Sequence, residues 1–114
     1  RVAICNPTLY GNVTLAALDK YARYHRGLGF AEAFVYVGKG STPRHAKEYL
    51  RRSPFFRPVL HPHMVGNEHG QDRAIRHCHN LTRMLGYDWA MFSDLDEFVQ
   101  WNRSALSVGE WLAA

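Results

Sequence analysis

The sequence predicts an α/β fold, a Rossmann-like, mostly parallel sheet with helices on both faces. Short apolar runs alternate four times with stretches of helical periodicity, the pattern of parallel strands joined by crossover helices. Gly, Pro, Asn and Thr punctuate the junctions, where elements stop and start. The length of 114 residues suits one compact unit, and 46% hydrophobic with 21% charged residues is an ordinary globular composition.

Val2 to Cys5 reads as a first buried strand ending in the turn-rich loop Asn6-Pro7-Thr8-Leu9-Tyr10-Gly11. Leu15, Leu18, Tyr21, Ala22, His25 and Leu28 then fall at helical spacing, with Gly29 as the stop. His25, on that apolar stripe, is expected as a hydrogen-bonded core histidine. Ala33 to Val37 is a second strand, followed by Gly38-Lys39-Gly40. Thr42 can cap and Pro43 can open a helix through Ala46, Tyr49 and Leu50 to about Arg52. A third strand is expected over Arg57 to His61. The longest helix carries Ala74, Ile75, Cys78, Leu81, Thr82 and Leu85 on one stripe, with Arg73, Arg76, Asn80 and Arg83 on other faces. Gly86-Tyr87-Asp88 leads into a fourth strand, and Ser107 and Glu110 have capping-box spacing for a last helix.

The fourth strand carries the chemistry. In Trp89-Ala90-Met91-Phe92-Ser93-Asp94-Leu95-Asp96-Glu97-Phe98 an apolar run, too apolar for an exposed edge, hands two aspartates to the end of a strand. Open parallel sheets bind their ligands at that end. In extended backbone, side chains two apart point to one side, so Asp94 and Asp96 can converge on one cation. Carboxylate oxygens suit hard divalent ions, manganese or magnesium, whose shell substrate phosphates commonly complete.

The bulk properties restrict the alternatives. Net charge is +4, but the basic residues are scattered and no aromatic-basic motif points to nucleic acid. Cys5 and Cys78 allow one internal bridge or two core thiols, and no cysteine cage for a metal. His61, His63, His69, His77 and His79 lack zinc-site spacing, since His77 and His79 lie two apart on a helix and face different ways. Tyr10, Tyr36 and Trp101 can stack a base or sugar, or simply pack. Asn12-Val13-Thr14, Asn80-Leu81-Thr82 and Asn102-Arg103-Ser104 are glycosylation acceptors, which lean towards a secretory-pathway lumen. No apolar run reaches transmembrane length and no signal peptide is present. The chain opens directly in a strand and ends inside a helix, and is expected to be a single partial domain, residues 1–114, of a longer protein.

Tyr24-His25-Arg26-Gly27-Leu28-Gly29, Phe34-Val35-Tyr36, Cys78, Trp89 and Asp94-Leu95-Asp96-Glu97-Phe98 together resemble glycosyltransferase family 92 and related family-2-like transferases, from about Cys5 to Phe98. The resemblance implies the nucleotide-binding half of a GT-A fold. It further implies a Golgi membrane enzyme, anchored outside these residues, that transfers a sugar, often galactose, from a uridine diphosphate donor to a glycan acceptor with inversion. By motif, Asp96 would ligate the metal, and Asp94 would reach the ribose or a metal-bound water. The loop from Asn6, Pro7 and Thr8 to Gly11 would line the nucleotide. Gln71 and Arg73 would meet the donor near its phosphates, where a helix amino terminus favours negative charge. Glu97 is a candidate for sugar contact or for pairing with an arginine or a backbone amide, and Phe98 is expected in the core. Relatives commonly carry Asp where this chain has Val37, leaving Lys39 or Ser41 as the nearby polar substitutes. The catalytic base is expected beyond Ala114, so that the piece alone is inactive and exposes an apolar face.

Two other readings fit parts of the pattern. A haloacid-dehalogenase-like phosphatase also ends an apolar strand in D-x-D, using Asp94 and Asp96 as nucleophile and acid/base, although that motif normally opens its domain. A domain that only binds nucleotide or glycan would need the same residues without turnover.

Overall fold

A computed structural model describes residues 1–9, 12–38, 42–60, 68–101 and 107–113. In chain order the elements are β1 (Val2–Leu9), α1 (Leu15–Gly27), β2 (Glu32–Val37), α2 (Arg44–Arg52), β3 (Phe56–Leu60), α3 (Glu68–Met84), β4 (Trp89–Phe92) and α4 (Val108–Ala113). The strands form one all-parallel sheet in the order β3-β2-β1-β4, the arrangement the alternating pattern predicts.

Two cores sandwich the sheet. On one face Leu18, Tyr21 and Ala22 of α1, Ala46 and Leu50 of α2 and Val108 of α4 close over Val2, Ile4, Val35 and Val37. On the other, Ala74 and Cys78 of α3 pack on Ala3, Cys5, Phe34 and Tyr36. Strand side chains alternate between the faces, which explains why the central strands are apolar at nearly every position. The second core is small, and a Cys5–Cys78 disulfide crosses it, with a Cα–Cα separation of 6.0 Å. Of the two states open to the cysteines, the chain adopts the bridge.

Several local expectations are corrected. β1 continues through Pro7 to Leu9, and its register against β2 shifts between Asn6 and Thr8. A bulge at a proline, which has no N–H to give the ladder, reconciles the turn-like sequence with a continuous strand. Pro43 occupies the cap position of α2 without a side-chain cap bond. Thr42 instead uses its hydroxyl to accept from the Gly38 N–H and donate to the Leu9 carbonyl, joining two strand ends. Leu15, Ile75 and Leu85, assigned to apolar stripes, are exposed.

The largest correction concerns β4. It is an edge of the sheet, with Trp89 52% and Phe92 45% exposed. Its apolar character therefore reflects an uncovered flank among the described residues.

Gly29 follows the end of α1 with φ +99°, and a Cβ there would lie 2.9 Å from the Ser107 Cβ. The close approach lets the Val108 N–H donate to the Leu28 carbonyl at 2.7 Å, docking the start of α4 onto the end of α1. Gly29→Ala should therefore lower stability by about 1–3 kcal/mol, read from the urea unfolding midpoint, because it combines left-handed strain with a clash. Ser107 and Glu110 form the predicted capping box: the Glu110 N–H donates to Ser107 Oγ at 3.3 Å, and Oγ bonds Glu110 Oε1 at 2.8 Å.

Candidate functional site

The strand order locates the site. From β1 the chain steps through α1, β2, α2 and β3 in one direction on one face of the sheet. It then returns through α3 on the other face to lay β4 beside β1. β1 and β4 thus flank the point where the winding reverses, and ligands of open α/β sheets sit outside the carboxyl ends of such strands. The chain leaving β4 at that edge is Ser93-Asp94-Leu95-Asp96-Glu97.

These acids do not lie on extended backbone, contrary to the spacing argument. β4 ends at Phe92, and a turn follows in which the Glu97 N–H donates to the Asp94 carbonyl at 3.1 Å. The Glu97 carboxylate reaches back to accept from the Asp94 N–H at 2.7 Å. Side chain and backbone therefore close the turn reciprocally, as in a capping box. Leu95 turns inward against the core while Asp94, Asp96 and Glu97 stay exposed. Of the two contacts considered for Glu97, its bond is to a backbone amide.

A buried polar network fixes this turn to the sheet. Asn6, almost fully buried in β1, donates from Nδ2 to the Ser93 carbonyl at 2.7 Å and to the Tyr21 hydroxyl at 3.1 Å. Tyr21 Oη and Ser93 Oγ share a hydrogen bond of 2.9 Å, and Ser93 Oγ donates to the Asp94 carbonyl at 3.0 Å. The Ser93 N–H donates to the Cys5 carbonyl at 3.2 Å, extending the β1–β4 ladder by one bond. Each buried donor of the trio is thus used, which is what keeps burial of polar groups affordable. Asn6 Oδ1 is buried without a partner among the described residues.

The end of α1 clamps the segment that follows. The Tyr24 hydroxyl donates to the Val99 carbonyl at 2.7 Å, and the Phe98 ring packs against His25 at 5.6 Å and edge-on to Tyr24 at 5.1 Å. His25 is fully buried as expected, its Nδ1–H donating to the Tyr21 carbonyl at 2.9 Å. Burial holds its pKa below the ordinary imidazole value, so the ring is neutral. Tyr24 and His25 of the Tyr-His-x-x-Leu-Gly block therefore hold the segment that follows the acidic turn.

Arg73 is exposed on α3, the helix whose Cys78 is bridged to the middle of β1, and no hydrogen bond or ion pair joins it to the acidic turn among the described residues. The side chains of Pro7, Thr8 and Gln71 lie outside the described part of the structure, as do Tyr10, Gly11, Lys39, Ser41, His61, His63, the His69 side chain and the Asn102 acceptor. Val37 is buried. Tyr36 is buried in the core with its hydroxyl 2.7 Å from His77 Nδ1, and the partly buried Trp101 stacks on Trp111. Sequence reasoning missed Tyr21 and Ser93. The one available signal was a tyrosine among smaller residues on the α1 stripe.

Electrostatically the turn is under tension. Desolvation first, then the neighbouring Glu97 and Asp96 carboxylates, hold the Asp94 carboxyl above its ordinary pKa. A divalent cation would relieve that repulsion, and the hard oxygen donors suit manganese or magnesium. No group of three His, Cys, Asp or Glu side chains able to hold a metal occurs among the described residues. A cation on Asp94 and Asp96 would need water or other oxygen ligands to complete its shell. A cation here would require ionised Asp94, so its affinity should weaken on acidification at a higher pH than an ordinary aspartate dictates. Glu97→Gln keeps a carbonyl oxygen for the Asp94 N–H but removes one raising charge. It should move that midpoint to lower pH, as manganese titrations across pH 4–7 would show.

A cleft of about 250 Å³ beside the turn is lined by Met91, Phe92, Ser93, Glu97, Phe98 and Val99. No family model, curated protein or solved structure matches the chain.

Proposed function

We propose that the chain is the nucleotide-sugar-binding half of a metal-dependent, inverting glycosyltransferase of GT-A type. Its donor would be a uridine diphosphate sugar, with galactose suggested by the family resemblance, and its acceptor a glycan. The observation that carries this reading is the carboxylate turn Asp94–Glu97, anchored by Asn6, Tyr21 and Ser93 outside the β1 and β4 ends, where the parallel sheet reverses its winding.

Breaking the bond between sugar and diphosphate builds negative charge on the leaving oxygens. A manganese or magnesium ion on Asp94 and Asp96 supplies Lewis-acid stabilisation of that charge when bound. The chain's own contribution is placement. The Asn6 amide and Ser93 hydroxyl hold the turn backbone, so the two aspartates face solvent at the sheet edge without having to be reordered on binding. The base that takes the acceptor proton belongs to the acceptor half, beyond Ala114 by the family resemblance. The exposed Trp89 and Phe92 on the β4 edge suit a chain segment covering that flank.

The compartment reading draws on the Cys5–Cys78 bridge, which oxidising compartments permit, and on Asn12 and Asn80, both exposed in acceptor sequences. Together they favour a secretory lumen, the Golgi by resemblance, with a membrane anchor elsewhere in the protein. No helix among the described residues is long and apolar enough to cross a membrane.

The test is sugar transfer by the full-length protein from uridine diphosphate galactose to a mixed glycan acceptor panel in manganese. Transfer that Asp96→Ala abolishes supports the reading. Release of phosphate from p-nitrophenyl phosphate without a sugar acceptor would replace it by the phosphatase reading. Donor binding with no turnover of any nucleotide sugar would leave a binding domain.

A further inference from the structure

A second surface lies at the opposite edge of the sheet, three strands and so about 15 Å from β4. There α2 and β3 enclose a groove of about 550 Å³ lined by Val37, Arg44, Lys47, Glu48, Arg51, Pro58 and Leu60. Three cations and one carboxylate, all on α2, line one side of it, and Val37, Pro58 and Leu60 line the other. Arg44 is paired with Glu48 at 3.5 Å, whereas Lys47 and Arg51 have no acidic partner among the described residues. Three of the fourteen basic residues are gathered here by the helix, since positions i, i+3 and i+7 share a face.

The helix dipole favours Arg51 in the last turn of α2 but does not account for Arg44 at the other end. Arg44 sits in the first turn of α2, which contains no acidic residue, although the positive end of the helix dipole disfavours cations there. From Arg44 to Arg51 the axis rises about 10 Å, more than a single phosphate or sulfate spans. The groove therefore suits a chain bearing repeated anionic groups, held by guanidinium and ammonium donors. None of the lining residues is aromatic, so nucleic-acid bases would find no stacking platform. The disulfide suits an oxidising compartment, and sulfated glycans are polyanions met there.

We infer that the α2–β3 groove binds a sulfated glycan chain through Arg44, Lys47 and Arg51. This binding is separate from the proposed nucleotide site and stands without it.

Calorimetric titration of the 114-residue chain with a heparin-derived hexasaccharide tests it. Saturable binding is expected, weakened about tenfold or more in the triple variant Arg44→Gln, Lys47→Gln, Arg51→Gln. The equal-charge control Arg26→Gln, Arg76→Gln, Arg83→Gln, three exposed positions on α1 and α3, should change affinity by less than about twofold. Circular dichroism confirms folding, and Lys47→Gln alone replaces the triple variant if that fails to fold, with about a threefold loss expected. Absence of binding, equal losses in both triple variants, or equal affinity for a single-stranded oligonucleotide would each overturn the inference. Inorganic sulfate at matched ionic strength competing as well as the hexasaccharide would also overturn it, since it would show a simple anion effect.

Discussion

Removing the Cys5–Cys78 bridge should cost the chain about 4 kcal/mol, the loss expected when a loop closed across 73 positions is released in the unfolded state. The expectation rests on where the bridge lies. Among the described residues the face it crosses buries Ala3, Cys5, Phe34, Tyr36, Ala74 and Cys78, with Val59, Leu81, Tyr87 and Ala90 partly buried against them, so few large apolar side chains hold α3 to the sheet in its place. Against a typical domain stability of about 5–15 kcal/mol, such a loss leaves little margin. Cys5→Ala with Cys78→Ala should lower the urea midpoint steeply, and α3, which carries Arg73, should lose amide protection before β1 and β2 do. An unchanged midpoint in the double variant would mean that core packing alone docks this helix.

The second large effect is expected at Asn6, far from any surface. Asn6→Leu has a similar volume but removes both amide donors, leaving the Ser93 carbonyl and Tyr21 hydroxyl buried with one partner fewer each. Such a loss costs about 1–3 kcal/mol per stranded group. The turn it anchors carries both proposed ligands, so manganese affinity should fall about tenfold although neither aspartate is touched. Tyr21→Phe removes one hydroxyl of the same network and should cost about 1 kcal/mol, with a smaller effect on metal binding. Equal metal affinity in wild type and a folded Asn6→Leu variant would show that the turn holds its shape unaided.

Much of the architecture was legible because it is written in local signals. The period of the apolar residues separates strands from helices, and Gly29 and the Ser107–Glu110 pair mark ends by their own conformational needs. What was not legible depends on neighbours. A run such as Trp89 to Phe92 has the same composition whether it lies in the middle of a sheet or at an uncovered edge, since strand order is not a property of the strand. The state of Cys5 and Cys78 likewise depends on α3 crossing over β1, which no spacing encodes.

The acidic segment shows the same division. Asp94 and Asp96 were identifiable as a carboxylate pair at the end of a strand, but period-two reasoning gave them the wrong backbone. The Asp94-x-x-Glu97 spacing, a capping-box signature, was the signal for a turn. Asn6 was singled out as a nucleotide contact, yet its amide faces inward and holds the turn from beneath.

The central claim is that this turn holds a nucleotide diphosphate through a divalent ion, and calorimetric titration of uridine diphosphate into the chain tests it most directly. Saturable binding in manganese is predicted, absent when the metal is chelated and lost in Asp96→Ala. Folded protein that binds the nucleotide equally well without metal, or whose binding survives in Asp96→Ala, would contradict the claim.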